Sequence, residues 1–281
     1  MPISAGITQE IPCALCGSIN FKPYLECEGF SFVRCVSCSL VQRNPQPNKN
    51  EIIERYASIY GKDYLSYELE NEDAFLVLQQ LALKDAGFPR LEKKILANVK
   101  NPKVLDIGCA TGALLLNLRE RGWNVTGVEI SPCAAYAKEK RSLDVRSIPL
   151  EENKFADSSF NIILASHLIE HLNDPKTFLK EAHRILIKNG YLFVTTPNIS
   201  GFQARLFGSG WRSAIFDHLY LFSKRSLIKM LKDSGFKVES VKTWGGIAAG
   251  KAPLWLKKIV DFLAKRFACG DVMIIKAAKC R

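Results

Sequence analysis

The sequence predicts a doubly wound α/β protein preceded by a small cysteine-rich module. Three observations carry that expectation. From Pro102 onward, short apolar runs alternate with helix-period segments; an acid and two glycines follow the first run; and four cysteines near the start form two C-x-x-C pairs.

The alternation can be followed element by element. Lys103 to Ile107, Asn124 to Glu129, Phe160 to Ala165 and Tyr191 to Thr195 read as buried strands of a parallel sheet, each short, apolar and bounded by turn residues. Helices fit Ala113 to Arg121, Ser131 to Lys140 and Pro175 to Ile187, the last with Asn189-Gly190 positioned as its C-cap. Ser223 to Ser234 reads as a further helix, and Phe236 to Thr243 and Val272 to Ala277 as two late strands. Ahead of the sheet, apolar residues recur at helical intervals between Glu51 and Val99, interrupted at Gly61 and at Gly87-Phe88-Pro89. This divides the chain into a separate module at 1–47, ending in Asn44-Pro45-Gln46-Pro47, a helical linker or cap at 48–100, and the main domain at 101–281.

Composition narrows the class. A chain of 281 residues with 47% hydrophobic and 24% charged content can bury one large core and a small accessory unit. The opening residues lack a basic segment followed by an apolar stretch, and no window holds the roughly 18 apolar residues of a membrane span, so a cytoplasmic, reducing location is expected. The net charge of +11 is concentrated late: residues 201–281 carry 16 Lys and Arg against 5 Asp and Glu, whereas residues 1–200 balance at 23 each. A basic face of this kind attracts nucleic acid, anionic membrane or a phosphorylated substrate, or simply keeps a surface solvated.

Cys13-Ala-Leu-Cys16 and Cys35-Val-Ser-Cys38 form C-x2-C-x18-C-x2-C, the spacing of a structural zinc site. Four thiolates complete a tetrahedron and leave no open position, which assigns structure rather than catalysis. Gly17 supplies the left-handed backbone such a turn often uses. Redox-active cysteines need only one pair beside a βαβ unit, so they fit this pattern less well.

Val104-Leu-Asp106-Ile-Gly108-Cys109-Ala110-Thr-Gly112 places an acid at a strand end, then a glycine loop, then a helix start. At the end of the next predicted strand stands Glu129, where a carboxylate can accept hydrogen bonds from both hydroxyls of a ribose. A nicotinamide fingerprint wants G-x-G-x-x-G to bring backbone against a pyrophosphate; here the middle glycine is missing and Asp106 would repel phosphate. The charge suits instead a cationic sulfonium nucleoside with an ammonium group.

Four segments then carry a family resemblance: V-L-D-I-G-C-A-T-G, G-V-E-I-S, S-F-N-I-I-L-A-S-H-L-I-E-H-L-N-D-P and E-A-H-R-I-L-I-K-N-G-Y-L-F-V-T-T-P-N. In order and spacing the chain resembles the class I S-adenosylmethionine-dependent methyltransferases over about 102–277, and D-H-L-Y-L-F-S with L-K-D-S-G-F-K-V is similar to the branch holding many bacterial small-molecule enzymes, some with an N-terminal zinc-binding segment. The resemblance implies a Rossmann-like seven-stranded methyltransferase sheet whose last strand is antiparallel, with S-adenosyl-L-methionine as cofactor. It implies further that Asp106, Gly108, Cys109 and Gly112 lie near the methionine moiety, Glu129 on the ribose, and Ile130 and Leu150 beside the adenine. Ala165 and Ser166, at the end of the fourth strand, complete the cofactor set. The chain departs from the family pattern at Ala110, where a glycine is usual, at Asn161, where Asp is common, and at Pro149, where an acid is often found.

A sulfonium methyl is already activated, so the main remaining need is a positioned nucleophile and a base to deprotonate it. Spacing places His167, Glu170 and His171 on one face of a helix after the fourth strand. His167 is the first candidate base, His171 the second and His218 the third; hydrogen-bonded structural roles compete for each. His167-Leu-Ile-Glu170-His171 also matches H-x-x-E-H, the inverted zinc-hydrolase motif, but Asn173-Asp174-Pro175 follows closely enough to shorten such a helix. Pro253 to Phe267 reads as a basic amphipathic helix, suited to packing on its own sheet or a dimer mate, or to a membrane surface. The expected partner is a small-molecule methyl acceptor; the rivals are a zinc-ribbon ribosomal-RNA methyltransferase, which the basic C-terminal third would serve, and a cofactor-binding scaffold without turnover.

Overall fold

The N-terminal residues build a meander of β2 (Phe21–Cys27), β3 (Phe30–Cys35) and β4 (Val41–Arg43), flanked by a two-residue pairing of β1 (Thr8–Gln9) with β5 (Gln46–Pro47). The computed structural model describes residues 8–56, 61–245, 260, 262 and 264–280. Three helices follow: α1 (Lys49–Glu54), capped by the Asn48 side chain on the Glu51 N–H, the long α2 (Gly61–Asp85), and α3 (Phe88–Asn98), which begins where Gly87 and Pro89 break the periodicity.

Then the α/β alternation sets in. β6 (Lys103–Ile107), α4 (Ala113–Glu120), β7 (Asn124–Val128), α5 (Cys133–Arg141), β8 (Val145–Arg146), β9 (Phe160–Ser166), α6 (Pro175–Ile185) and β10 (Leu186–Pro197) run in sequence. They are followed by α7 (Phe202–Phe207), β11 (Tyr220–Leu221), α8 (Lys224–Asp233), β12 (Phe236–Trp244) and β13 (Val272–Lys279). Seven strands form one sheet in the order β12-β13-β10-β9-β6-β7-β8, with β13 antiparallel to both neighbours and the other adjacent pairs parallel. This is the Rossmann-like methyltransferase sheet.

Two-residue alternation divides its side chains between two cores. Leu105, Ile163, Leu192, Val194, Met273 and Ile275 face α6 and α8, where Phe178, Leu179, Leu227 and Met230 are buried. Val104, Ile162, Leu164, Phe193 and Ile274 face the other way, onto α2, α3 and α4 through Ala82, Leu83, Phe88, Leu114 and Leu118. Both faces are covered, which explains why the strands read as continuous apolar runs.

The structure corrects three expectations. Helix α6 stops at Ile185 rather than Ile187, and Leu186 already pairs with Phe160; Asn189, at φ 61°, and Gly190 lie in an irregularity within β10, not in a helix cap. A Cβ at Gly190 would stand 2.9 Å from the Ile187 carbonyl oxygen, so only glycine fits there. The helix expected around His167, Glu170 and His171 is a single 3-10 turn, 169–171, because Asp174 caps α6 by accepting from the Lys176 and Thr177 N–H groups and so starts a new helix. Residues 1–47 are not separate: β4 pairs antiparallel with β11, Tyr220 opposite Gln42 and Leu221 opposite Val41, and Cys13, Leu15, Cys35 and Leu40 share a core with α6 and α8. Most of the expected 253–267 helix lies outside the described residues.

Arg43 strengthens that join. Its N–H donates to the Leu219 carbonyl at 2.8 Å, its guanidinium to the Phe216 carbonyl at 2.8 Å, and it stacks 3.9 Å from the Phe216 ring centroid. A chain beginning at residue 48 would uncover Leu219, Tyr220 and Phe222, all buried here. That truncation is expected to aggregate, and the full chain to melt in one transition; a monomeric 48–281 fragment with native near-ultraviolet dichroism would refute the shared core.

Candidate active site

The first β–α loop is shaped by its backbone before any ligand is considered. After β6 the Gly108 N–H donates to the Val128 carbonyl at 2.8 Å, and Gly108, Ala110 and Gly112 take φ values of 74°, 46° and 79°. A Cβ on Gly112 would come within 2.4 Å of Leu143, so position 112 requires glycine for space as well as for φ. Ala110 adopts the left-handed backbone with a side chain present, a strain of about 1 kcal/mol. The buried Glu129 offsets it: one carboxylate oxygen accepts from the Ala110 N–H at 3.0 Å and the other from the Ser131 N–H at 2.8 Å.

This loop opens on a cavity of about 1430 Å³, beyond the roughly 300–1,000 Å³ usual for one small ligand. Gly108, Glu129, Ile130, Leu150 and Ser166 of the expected cofactor set line it, together with Ala110. Asp106, Cys109, Gly112 and Ala165 do not. Asp106 is 2% exposed and, with Ala165, borders a neighbouring void of only about 20 Å³ beside Gln79 and Thr195. Burial, reinforced by the Glu129 charge, pushes its carboxyl up to about 8. Cys109 packs behind the loop against Leu115, Ala137 and Val145.

Helix α2 forms the opposite wall and supplies residues that the sequence did not single out. Glu72 accepts from the Thr111 hydroxyl at 2.5 Å and from Arg141 at 2.5 and 2.7 Å, clamping the helix to the glycine loop and to the end of α5. One and two turns earlier, Glu68 and Tyr64 line the cavity. Burial raises the Glu68 carboxyl above its ordinary range, a Tyr64 hydrogen bond opposes the rise, and the charges of Glu129 and Glu72 add to it. Tyr64, Glu68 and Glu72 stand at i, i+4 and i+8, a polar stripe that in the sequence alone reads as a solvated face.

The three histidines line the same cavity. His167, at φ 51°, keeps 49% of its side chain exposed, with Nδ1 3.3 Å from Glu170 Oε1. His171 Nδ1 lies 3.0 Å from the Asp217 carbonyl and 3.0 Å from the Tyr56 hydroxyl. His218 Nδ1 lies 2.8 Å from the Ser213 carbonyl, and the His171 and His218 rings meet edge to face at 4.7 Å. Burial, then the charge of His171, lowers His218 to about 4. Burial would raise the Glu170 carboxyl, but contact with His167 and the charges of His171 and His218 outweigh it and bring it down to about 2. The Leu219 N–H donates to the Glu170 carbonyl at 2.8 Å, which carries the distant His218 to the 3-10 turn.

Outside the cavity lining the four expected cysteines converge, with sulfur atoms mutually within 4.8 Å, Cys13 to Cys38 at 3.3 Å and Cys16 to Cys35 at 3.5 Å. The two turns repeat one pattern. The Cys13 carbonyl accepts from Gly17 and its N–H donates to Ser18; the Cys35 carbonyl accepts from Ser39 and its N–H donates to Leu40. Gly17 and Ser39 both take positive φ, at 75° and 64°.

Comparison with known proteins agrees with this geometry. A methyltransferase-domain family model matches residues 76–241. The ubiquinone biosynthesis O-methyltransferase of Pelagibacter ubique is 31% identical over 113 residues, covering 36% of this chain and 44% of that protein. The protein of the same name from Rickettsia conorii is 23% identical over 190 residues, covering 63% and 64%. The chain therefore spans about half the length of the curated relatives it matches. A Thermotoga maritima structure described as a SAM-dependent methyltransferase, possible histamine N-methyltransferase, superposes with a TM-score of 0.52 at 22% identity, covering 76% of this chain and 97% of that one; it shares the fold. With the family model covering more than half of its residues, the chain belongs to the methyltransferase-domain family.

Proposed function

We propose that the protein transfers a methyl group from S-adenosyl-L-methionine to an oxygen of a small-molecule acceptor, and that its four N-terminal thiolates hold one structural zinc ion. The observation that carries the first reading is that one cavity contains both the carboxylate of Glu129 and the histidine cluster, so donor and acceptor fit side by side. The O-methyltransferase names of the matching relatives support oxygen as the nucleophile.

In this reading Glu129 accepts from the ribose hydroxyls, Ile130 and Leu150 flank the adenine, and the backbone at Gly108 and Ala110 borders the methionine moiety. Asp106, Cys109, Gly112 and Ala165 act from behind the wall. A cationic ammonium group near the loop favours the ionised form of Asp106, offsetting its burial. During transfer the acceptor oxygen forms a bond to the methyl carbon as the carbon–sulfur bond breaks. The electron pair stays on sulfur, which becomes a neutral thioether, and the acceptor proton passes to a base. His167 suits that role because its exposed ring can return the proton to solvent, whereas His171 and His218 are tied to backbone carbonyls.

Loss of the Glu129 carboxylate removes two charge-assisted hydrogen bonds, so Glu129→Ala is expected to weaken S-adenosylhomocysteine binding by about 2 kcal/mol in calorimetry. Unchanged affinity would overturn the ribose placement. Incubated with methyl-labelled cofactor and metabolite extract, the protein is expected to label a low-molecular-weight product; label appearing only in RNA, or none at saturating cofactor, would overturn the small-molecule reading.

For the metal, sulfur–sulfur separations of 3.3 and 3.5 Å approach the roughly 3.8 Å that zinc–sulfur bonds of about 2.3 Å impose on a tetrahedron. Structural zinc contributes about 10 kcal/mol or more of apparent binding energy, comparable with the roughly 5–15 kcal/mol stability of a whole domain. Elemental analysis should find a tightly held zinc that Cys13→Ser removes, together with cooperative melting of the chain. A zinc-free protein with an unchanged melting curve would refute the assignment.

A further inference from the structure

Glu170, His171 and His218 are arranged for more than proton transfer. One donor atom from each lies within 4.8 Å of the other two. Bonds of about 2.0–2.2 Å to nitrogen and carboxylate oxygen place three ligands of a single ion about 3–3.6 Å apart, so a closure of at most about 1–2 Å brings all three onto one centre.

Their outer contacts leave donor atoms available for such a centre. The Nδ1 atoms of His171 and His218 each sit against a backbone carbonyl, of Asp217 and Ser213, which assigns the ring proton to Nδ1 and leaves Nε2 with its lone pair free. Carbonyl-anchored imidazoles of this kind recur behind metal-bound histidines. Glu170 is fixed in the same manner: Oε2 accepts from the Thr196 hydroxyl at 2.8 Å, whereas Oε1, in a side chain 1% exposed, has no hydrogen-bond partner among the described residues. A buried carboxylate oxygen left without a hydrogen bond is costly, and a cation removes that cost. The competing partner is His167, whose Nδ1 stands 3.3 Å from Oε1.

We propose that Glu170, His171 and His218 bind a divalent transition-metal ion that holds the methyl acceptor through two neighbouring oxygens. Two imidazoles and one carboxylate suit Mn2+, Fe2+, Co2+ or Zn2+ better than the all-oxygen preference of Mg2+ or Ca2+. Three protein ligands leave adjacent coordination positions open toward the cavity that His171 and His218 line. Two adjacent positions fit a chelating acceptor: a catechol, a vicinal diol or an α-hydroxy acid. Coordination lowers the pKa of the bound hydroxyl, so its proton passes more readily to His167 and the metal-bound oxygen attacks the methyl carbon, with the electron pair of the breaking bond staying on sulfur. The H-x-x-E-H reading would pair His167 with His171 on the metal; the structure puts His218 in place of His167. Ion binding stands on this geometry alone, and only its role in holding the acceptor rests on the methyl-transfer reading.

Electron paramagnetic resonance with Mn2+, which competes poorly for thiolates, tests the site on the zinc-loaded protein. One Mn2+ per chain is expected. His171→Ala and His218→Ala should each weaken it at least tenfold, and unchanged S-adenosylhomocysteine binding would show that both variants fold. Adding 3,4-dihydroxybenzoate should alter the Mn2+ spectrum, whereas benzoate should not. No Mn2+ binding at millimolar concentration, or equal binding by both variants, would overturn the site and leave Glu170 paired with His167. A spectrum indifferent to the catechol would overturn chelation of the acceptor. Mn2+ binding without S-adenosylhomocysteine binding would remove the methyl-transfer reading while the ion site stood.

Discussion

The carboxylate of Glu129 grips the N–H groups of Ala110 and Ser131 across the end of the sheet, and the shape of the cavity follows from that grip. With those contacts the loop after β6 holds left-handed backbone at three positions, one of them an alanine, and turns away from the sheet to begin α4. Lost contacts would leave the strain at Ala110 without compensation and a buried carboxylate without partners, two costs of the order of 1–3 kcal/mol each. The ribose ligand proposed here thus arrives at a group that already has a structural duty, and a substitution at 129 reads out both.

The N-terminal cysteine turns serve the histidines at a distance. Their meander ends in β4, which pairs with β11; the residues just before β11 are His218 and Leu219. Leu219 is fixed on both sides, its carbonyl accepting from Arg43 and its N–H donating to the Glu170 carbonyl. His218 therefore reaches His171 because the cysteine turns hold up the strand beside it. This gives the cysteine cluster a mechanical link to the histidines lining the cavity without placing it there.

Much of this was legible in the sequence, because the signals were local. Lys103 to Ile107 matches its strand residue for residue, and neighbouring boundaries fall within a few residues, since both faces of the sheet are covered and its central strands read as apolar. The cysteine spacing located four converging sulfurs, and the acid-glycine loop located the cavity floor. What escaped was long-range. Nothing local in Tyr220-Leu221 marks a strand that completes a sheet begun at Phe21, and two-residue elements such as Val145-Arg146 carry no periodicity. Tyr64, Glu68 and Glu72 have the spacing of a solvated stripe; only the packing of α2 across the loop turns that stripe inward. Asn189-Gly190 followed the rule for helix termination, yet the adjacent sheet captured Leu186 first.

The charge distribution around the cavity states the chemistry most compactly. Asp106, Glu129, Glu68 and Glu72 cluster at the loop end, and burial, with their mutual repulsion adding to it, raises the carboxyls of Asp106 and Glu68. Among the described residues only Glu72 of these four has a full cationic partner, Arg141, and its carboxyl is lowered despite burial. A pyrophosphate brought to that end would add like charge, whereas a sulfonium with an ammonium group supplies the positive charge these carboxylates lack. Beside the same cavity, imidazoles surround one ionised carboxylate, Glu170. An uncharged oxygen nucleophile brought there finds groups able to take its proton. The proposed transfer would thus bring a cationic donor to the first region and deliver a proton of the acceptor to the second.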